Sequence, residues 1–402
     1  MTRDFLFLLS ATGISAVGSR VTRTALPMAA ILLLGATPLQ LGWLSVLGVL
    51  PGALVAWWAG AWIDRRPRRR VMVGADWARA LLIASIPVAA LLGALTLAQL
   101  GVVAALVCVA TVLFDISGHA YLPVIVAKDR LVDANSKLGT VDALAEISGP
   151  PLGGVLVQWL TAPLALAVDA LSFVASALLI VRTRAHEPLP KATQQAKATS
   201  LLHEARGGAV LVWRHSLLRP LFLSTALLTF FMAFMASLYT LFALETVRLS
   251  PGILGLVIGC GGVGALAGAS AAPALVKRFG PGRTTIGSLL LGGVAQVFIP
   301  LAPADPVAGA AFLVASQLLG DGLLTIYFIT ETSLRQQAVA VEALGRTAAV
   351  WQMASSSVAP AGMMLGALLA EFAGMRIAMS VLAGGAIVAA LPLLLARRMP
   401  RA

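Results

Sequence analysis

A few ionisable side chains interrupt the apolar runs of this 402-residue chain, and their spacing limits the chemistry open to them. Arg20 and Arg23 lie in SAVGSRVTRTALP, and Asp115 and His119 stand four apart in FDISGHAYLP. Asp142 and Glu146 repeat that spacing in the next run, and Asp321 and Glu331 fall in the last third. Residues four apart share one face of a helix, so Asp115 can pair or share a proton with His119, and Asp142 with Glu146. An ionised side chain at the centre of a membrane span costs roughly 2.5–3.5 kcal/mol and normally faces protein or water. A carboxyl partly buried beside another carboxylate keeps its proton more readily, as a proton carrier must, whereas an Asp–Arg pair holds the proton off. Asp115 and Asp321 are therefore the first candidates for proton coupling, followed by His119, Asp142, Glu146 and Glu331, the last reading better as a gate or surface residue. Arg20 and Arg23 read as substrate or gate contacts, or as neutralising partners of a carboxylate. Asp76, Arg79 and Asp169 read as structural charges.

A softer signal is the aromatic and sulfur stripe Phe230, Phe231, Met232, Phe234, Met235, Tyr239 and Phe242. It can bind a bulky amphipathic molecule through contact area and soft packing, or it can face lipid. Tyr327 would add a hydroxyl to such a cavity. Catalytic residues are not expected: His119 is the one histidine within an apolar span, without a Ser-x-x-Lys, GxSxG or metal-ligand cluster beside it. Cys108 and Cys260 lie in apolar runs as inert residues, and no cofactor or metal is implied. Glycine-rich stretches lack a following GK[ST], which removes support for an ATP-driven mechanism.

The elements that must position these groups are membrane spans. The chain is 59% apolar and 11% charged, with a net charge of +12, and its mean hydropathy is +0.92. Ordinary soluble domains carry roughly 25% charge, so this surface has to meet lipid. Twelve spans are predicted, at 5–33, 38–63, 71–95, 98–125, 138–160 and 162–182, then 218–243, 250–275, 284–303, 306–330, 345–370 and 373–396. Basic residues gather in alternate connections: Arg65 to Arg70, then Lys128, Arg130 and Lys137, then seven from Arg182 to Arg219. Lys277, Arg278 and Arg283 follow, then Arg335 and Arg346, and finally Arg397, Arg398 and Arg401, while only Arg248 and Arg376 lie near the opposite connections. This bias places both termini in the cytoplasm, and with no aromatic interleaving it leaves no case for nucleic acid.

Residues 183–217, including HEPLPKATQQAKATS, read as a linker with an interfacial segment between a bundle at 1–182 and a bundle at 218–402. The halves repeat: Asp64 and Lys277 are 213 positions apart, and Gly154 and Gly366 are 212 apart. Gly149, Gly153 and Gly154, beside Pro150 and Pro151, allow close helix approach and are assigned to a moving interface.

GAWIDRRPRRRVM (60–72) resembles the major facilitator loop G-x-x-x-D-R-x-G-R-R, matching at Gly60, Asp64, Arg65, Arg68, Arg69 and Arg70, with Pro67 where the pattern has glycine. ADWARA (75–80), LPVIVAKDRLVDANSKLG (122–139), GPPLGG (149–154), VDALSFVASALL (168–179) and WRHSLLRPL (213–221) resemble the macrolide-efflux and enterobactin-exporter branch. The resemblance implies an all-α membrane protein of the major facilitator fold, with 12 transmembrane helices in two six-helix bundles. It further implies a secondary exporter of a drug, siderophore or natural product, driven by protons, in the bacterial inner membrane. The loop would form a cytoplasmic gate of Gly60, Asp64, Arg65, Arg68, Arg69 and Arg70, with Lys277 and Arg278 in the second half. The expected partners are a small amphipathic substrate, protons and membrane lipids, with the chain acting as a monomer. A lipid or lysophospholipid translocator of the same fold, or a non-transporting scaffold, stands as the alternative.

Overall fold

A computed structural model describes residues 2–185, 187, 207–340 and 343–396. The long helical segments of the first half are α1 (Arg3–Leu34), α2 (Pro38–Ile63), α3 (Arg68–Leu91), α4 (Leu97–Ile125), α5 (Leu131–Leu160) and α6 (Ala162–Val181). Those of the second are α7 (Leu218–Thr246), α8 (Pro251–Phe279), α9 (Pro281–Leu301), α10 (Pro306–Gln337), α11 (Leu344–Ala373) and α12 (Met375–Leu394). All but α5 are long and apolar enough to cross a membrane. At 30 residues α5 has the length, but polar side chains in its opening turns and Glu146, Pro150, Pro151 and Gln158 further along lower its hydropathy. The segment before α7 forms a short helix at 207–214.

Local chemistry sets the boundaries. Thr2 caps α1 by accepting from the Phe5 N–H, Thr37 and Gln40 form a reciprocal capping box on α2, and Asp305 accepts from Ala308 at the start of α10. The predicted spans fall short where a helix runs on into polar sequence. α5 starts at 131 rather than 138, its first turns carrying an Asp133–Lys137 pair at 3.3 Å and a Thr140 hydroxyl bonded to the Ser136 carbonyl. Hydropathy does not register such turns, whereas i,i+4 pairing holds them helical.

The described residues form two units: α1–α6 together with 250–259, and α7 with 260–396. Each repeats one set of neighbours: α1 packs on α5 and α6, and α3 on α4 and α6; α7 packs on α11 and α12, and α9 on α10 and α12. Backbone turns repeat as well. Gly35 and Arg248, 213 positions apart, have φ of 58° and 66°, and Thr161 and Gly374, also 213 apart, have φ of 87° and 97°. Two positions break the series, Gly280 with φ 78° and Gly93 with φ 66°, whose counterparts are Pro67, with φ −62°, and Pro306, because the pyrrolidine ring forbids the left-handed region.

The core of the first unit gathers Phe5, Leu8, Met72, Phe114, Tyr121 and Ile180, and that of the second Leu221, Leu228, Leu289, Tyr327, Trp351 and Leu393. Large apolar side chains such as Leu91, Trp159, Val307 and Phe372 point outward, as lipid-facing helices require.

Candidate functional site

The first unit brings the charges of α1 and α5 together. Arg20 Nη2 lies 3.1 Å from Asp142 Oδ1 and 2.8 Å from Glu146 Oε2, and Arg23 Nη1 lies 3.6 Å from Glu146 Oε1. Arg20 reaches both acids because Gly149, on the same face of α5 as Glu146, leaves room for its stem: a Cβ there would strike the Arg20 Cβ. The Arg20 side chain is 16% exposed, while Asp142 and Glu146 are 63% and 48% exposed. Two guanidinium groups thus face two carboxylates in a half-open site.

Asp115 on α4 adds a third carboxylate within electrostatic reach of Arg20, Asp142 and Arg79. Its expected pairing with His119 takes another form. His119 Nδ1 lies 2.8 Å from the Asp115 main-chain carbonyl oxygen, so one turn of helix delivers the imidazole to the backbone and not to the carboxylate. Both side chains are exposed. The Asp115 carboxylate makes no ion pair among the described residues.

Behind this cluster sits a closed one. Arg79 donates to Asp76, and its guanidinium lies between the rings of Phe114 and Phe173, 4.3 Å from each centroid. Asp169 on α6 accepts from the Thr22 hydroxyl at 2.5 Å and from Ser172 at 2.9 Å. Asp76, Arg79 and Asp169 are all buried. α1 therefore meets carboxylates on two sides, through Arg20 and Arg23 toward α5 and through Thr22 toward α6.

The α2–α3 turn is tied within its own unit. Arg68 Nη2 reaches Asp64 Oδ1 only at 4.0 Å. Arg69 bridges to the end of α6, donating from Nε to the Ile180 carbonyl at 3.2 Å and from Nη2 to that of Val181. Glu187 supplies the cap that Pro67 cannot, accepting the Arg68 and Arg69 N–H groups at 2.7 and 2.8 Å. Sequence reasoning missed Glu187; a carboxylate in a linker gives no local sign of the helix it caps. Gly60 has nothing within 4 Å of where a Cβ would stand. Arg65, Arg70, Lys277 and Arg278 are exposed or at helix ends, and Arg278 lies 5.2 Å from the Phe279 ring centroid.

In the second unit, Glu331 is buried at 2% exposure, which corrects its reading as a surface residue: α10 runs on past it to Gln337. Its nearest guanidinium, Arg335, stands 3.9 Å away and lies over the Trp351 ring at 4.8 Å. Tyr327 is also buried, and its hydroxyl is bonded to Thr225 at 2.8 Å, so it is not offered to a cavity. Asp321 ends a π-helical turn, Ser316–Asp321, with a carboxylate oxygen against Gly261 of α8. Gln296 and Gln317, buried around the same turn, carry no charge and escaped the sequence reading. The aromatic stripe packs largely inward: the Phe231 ring covers Gly385, Phe234 covers Gly366, and Tyr239 and Phe242 are buried, with Met235 half-buried. Of the candidate interface glycines, Gly149 and Gly153 lie against α1, and Gly154 lies against Pro251 and Gly255 of α8.

Known proteins share this fold. The chain is 28% identical over 353 residues to the uncharacterized MFS-type transporter y4rN of Sinorhizobium fredii (strain NBRC 101917 / NGR234), covering 83% of this chain and 80% of the relative. It is 25% identical over 378 residues to the multidrug efflux pump Tap of Mycolicibacterium fortuitum, covering 92% and 90%. Among solved structures, a bacterial homologue of the iron transporter ferroportin superposes with a TM-score of 0.78 at 21% identity over 98% of both chains. The nucleoside transporter NupG gives 0.75 at 14% identity, over 99% of this chain and all of the other. Residues 8–360 match the Major Facilitator Superfamily, and the chain is a multi-pass membrane protein and secondary transporter belonging to that family.

Proposed function

We propose that this transporter is a proton-coupled exporter of an amphipathic small molecule, of the macrolide-efflux and enterobactin-exporter branch, working by alternating access in a bacterial inner membrane with both termini inside. The similarity to a multidrug efflux pump supports export as the direction and a drug-like molecule as the cargo. The observation that carries the coupling is the cluster in which Arg20 bridges Asp142 and Glu146 while Asp115, among the described residues, has no ion pair. Arg20 and Arg23 pair with the two α5 acids, so Asp115 is the acid of this cluster left without an ion pair among the described residues. Deprotonated, it competes with the α5 acids for Arg20; protonated, it gives Arg20 back to them. A proton thereby biases how α1, α4 and α5 hold one another, and a differential interaction of that kind shifts a two-state equilibrium. Asp321 is the corresponding acid in the second unit.

Sealed vesicles with an imposed pH gradient test this, with ethidium and erythromycin as cargo and an entrapped pH dye reporting proton movement. Addition of cargo is expected to release protons in the wild type, and Asp115→Asn with Asp321→Asn is expected to abolish that release and gradient-driven export. Unchanged export by the double variant removes the coupling assignment.

A further inference from the structure

Apart from the charge cluster, the first unit contains an open cavity of about 780 Å³ where the start of α1, the start of α3 and the end of α6 meet. Four guanidinium-bearing residues line it, Arg3, Arg69, Arg182 and Arg184, against a single carboxylate, Asp4. Asp4 is engaged in accepting the Arg184 backbone N–H at 3.1 Å. The other nearby acid, Glu187, is held by the α3 N-terminus. Arg69 donates two of its N–H groups to the end of α6 and keeps the others, and Arg3 lies over the Phe7 ring at 5.7 Å. The side chains of Arg182 and Arg184 make no hydrogen bond or ion pair among the described residues. Four positive charges facing one negative charge repel one another, and holding them around a concave space is favourable when an anion enters it.

The position of the cavity says which anion. Three membrane-spanning helices end at its wall, so it lies at the level where hydrocarbon gives way to headgroups, and Phe7 and Val181 supply an apolar edge. A free anion needs no such edge; a phospholipid needs both. Arginine forks match phosphate oxygens in pairs, and basic pockets at helix ends are suited to lipid headgroups. We propose that this cavity binds the phosphate of an anionic phospholipid, with Arg182 and Arg184 as the principal contacts and Arg3 and Arg69 closing the site.

The test uses the full-length protein in detergent, unfolded thermally at fixed ionic strength. The added probes are dioctanoylphosphatidylglycerol, dioctanoylphosphatidylcholine and inorganic phosphate. Phosphatidylglycerol is expected to raise the wild-type Tm with a half-saturating concentration at least tenfold below that of phosphatidylcholine. Replacing Arg182 and Arg184 together by Gln is expected to raise that concentration at least tenfold, while K277Q with R278Q, which neutralises the α8–α9 turn, leaves it unchanged. Equal responses in both double variants reduce the effect to diffuse surface charge and overturn the site. Equal responses to the two lipids overturn an anion site, and the same arginine-dependent shift with phosphate alone overturns the lipid in favour of a free anion. Native mass spectrometry of the wild type adds a readout that needs no variant: retained phosphatidylglycerol adducts support the site, and equal retention of phosphatidylcholine counts against it.

Discussion

The two units share most of their turns and their order of packing, yet the first adds a half-exposed ion-pair cluster to its buried charges. In the first, Arg20 holds Asp142 and Glu146 at 3.1 and 2.8 Å in a half-exposed site. In the second, Glu331 is buried, its cation stands 3.9 Å away over an indole, and Asp321 sits against the backbone of α8 at a π-helical turn. Water takes up part of the charge when a short, exposed pair separates, so such a pair can be made and broken at modest cost. A buried acid has no such outlet, and its ionisation is tied to the integrity of its surroundings. The first unit therefore carries a half-exposed ion-pair cluster beside its buried Asp76–Arg79 pair, whereas in the second unit the ion-paired acid, Glu331, is buried.

The largest effect is expected where that contrast is broken outright. Arg20→Ala leaves Asp142 and Glu146 facing each other with only Arg23 at 3.6 Å from the latter. We expect gradient-driven transport to fall by a factor on the order of 100, the upper range of a coupling between sites. Stability should fall by about 2 kcal/mol, short of the roughly 3–5 kcal/mol for fully buried pairs, because both acids are half exposed. Glu331→Gln should change transport by less than about fivefold. A transport assay run beside a thermal melt separates these outcomes, and equal losses in the two variants would remove the distinction between the units.

Much of the helix layout was legible in the sequence, whereas the contrast between the units was not. Apolar runs located twelve helices, α2 at both ends to the residue, because burial in lipid imposes a length and a composition that hydropathy reads directly. The spacing of Asp142 and Glu146 put both on one face of α5, and Arg20 and Arg23 were visible as charges where few belong. Their convergence was not visible, because it depends on the α1–α5 packing and on the missing side chain at Gly149. The imidazole of His119 turned to a backbone carbonyl, which competes with every side-chain partner but has no signature in residue types. Burial of Glu331 was hidden by the polar last turns of α10, and the capping by Glu187 by its distance of more than a hundred residues from α3.

A smaller effect is expected where the two units match in geometry but differ in residue. Thr161 has φ 87° and ψ 159°, and Gly374 at the same place in the repeat has φ 97° and ψ 155°. That region is accessible almost only to glycine, and a residue with a Cβ held there bears roughly 1–3 kcal/mol of strain. Thr161→Gly should raise stability by about 1 kcal/mol, since glycine brings back some unfolded-chain entropy. Gly374→Thr should lower it by about 2 kcal/mol, by the same strain. Thermal unfolding of the two variants checks whether the backbone repeat is as close as the paired angles indicate.

The smallest stability change is expected at Gly60, and it bears on whether the α2–α3 turn works as a gate. A Cβ at Gly60 meets nothing within 4 Å, and the residue lies inside a helix, where glycine costs about 0.5–1 kcal/mol relative to alanine. Gly60→Ala should therefore leave the fold intact or stabilise it by about 0.5 kcal/mol. Its counterpart at the 213-residue offset is Pro273, so the second unit has no requirement for a bare backbone at this level of α8. If the turn closes against another helix during transport, the glycine is needed in that second state and not in this one. Transport by Gly60→Ala should then drop about fivefold or more while the melting temperature holds or rises. Full activity with an unchanged melt would mean that no stage of transport needs a bare backbone at Gly60, which removes this glycine from the gate.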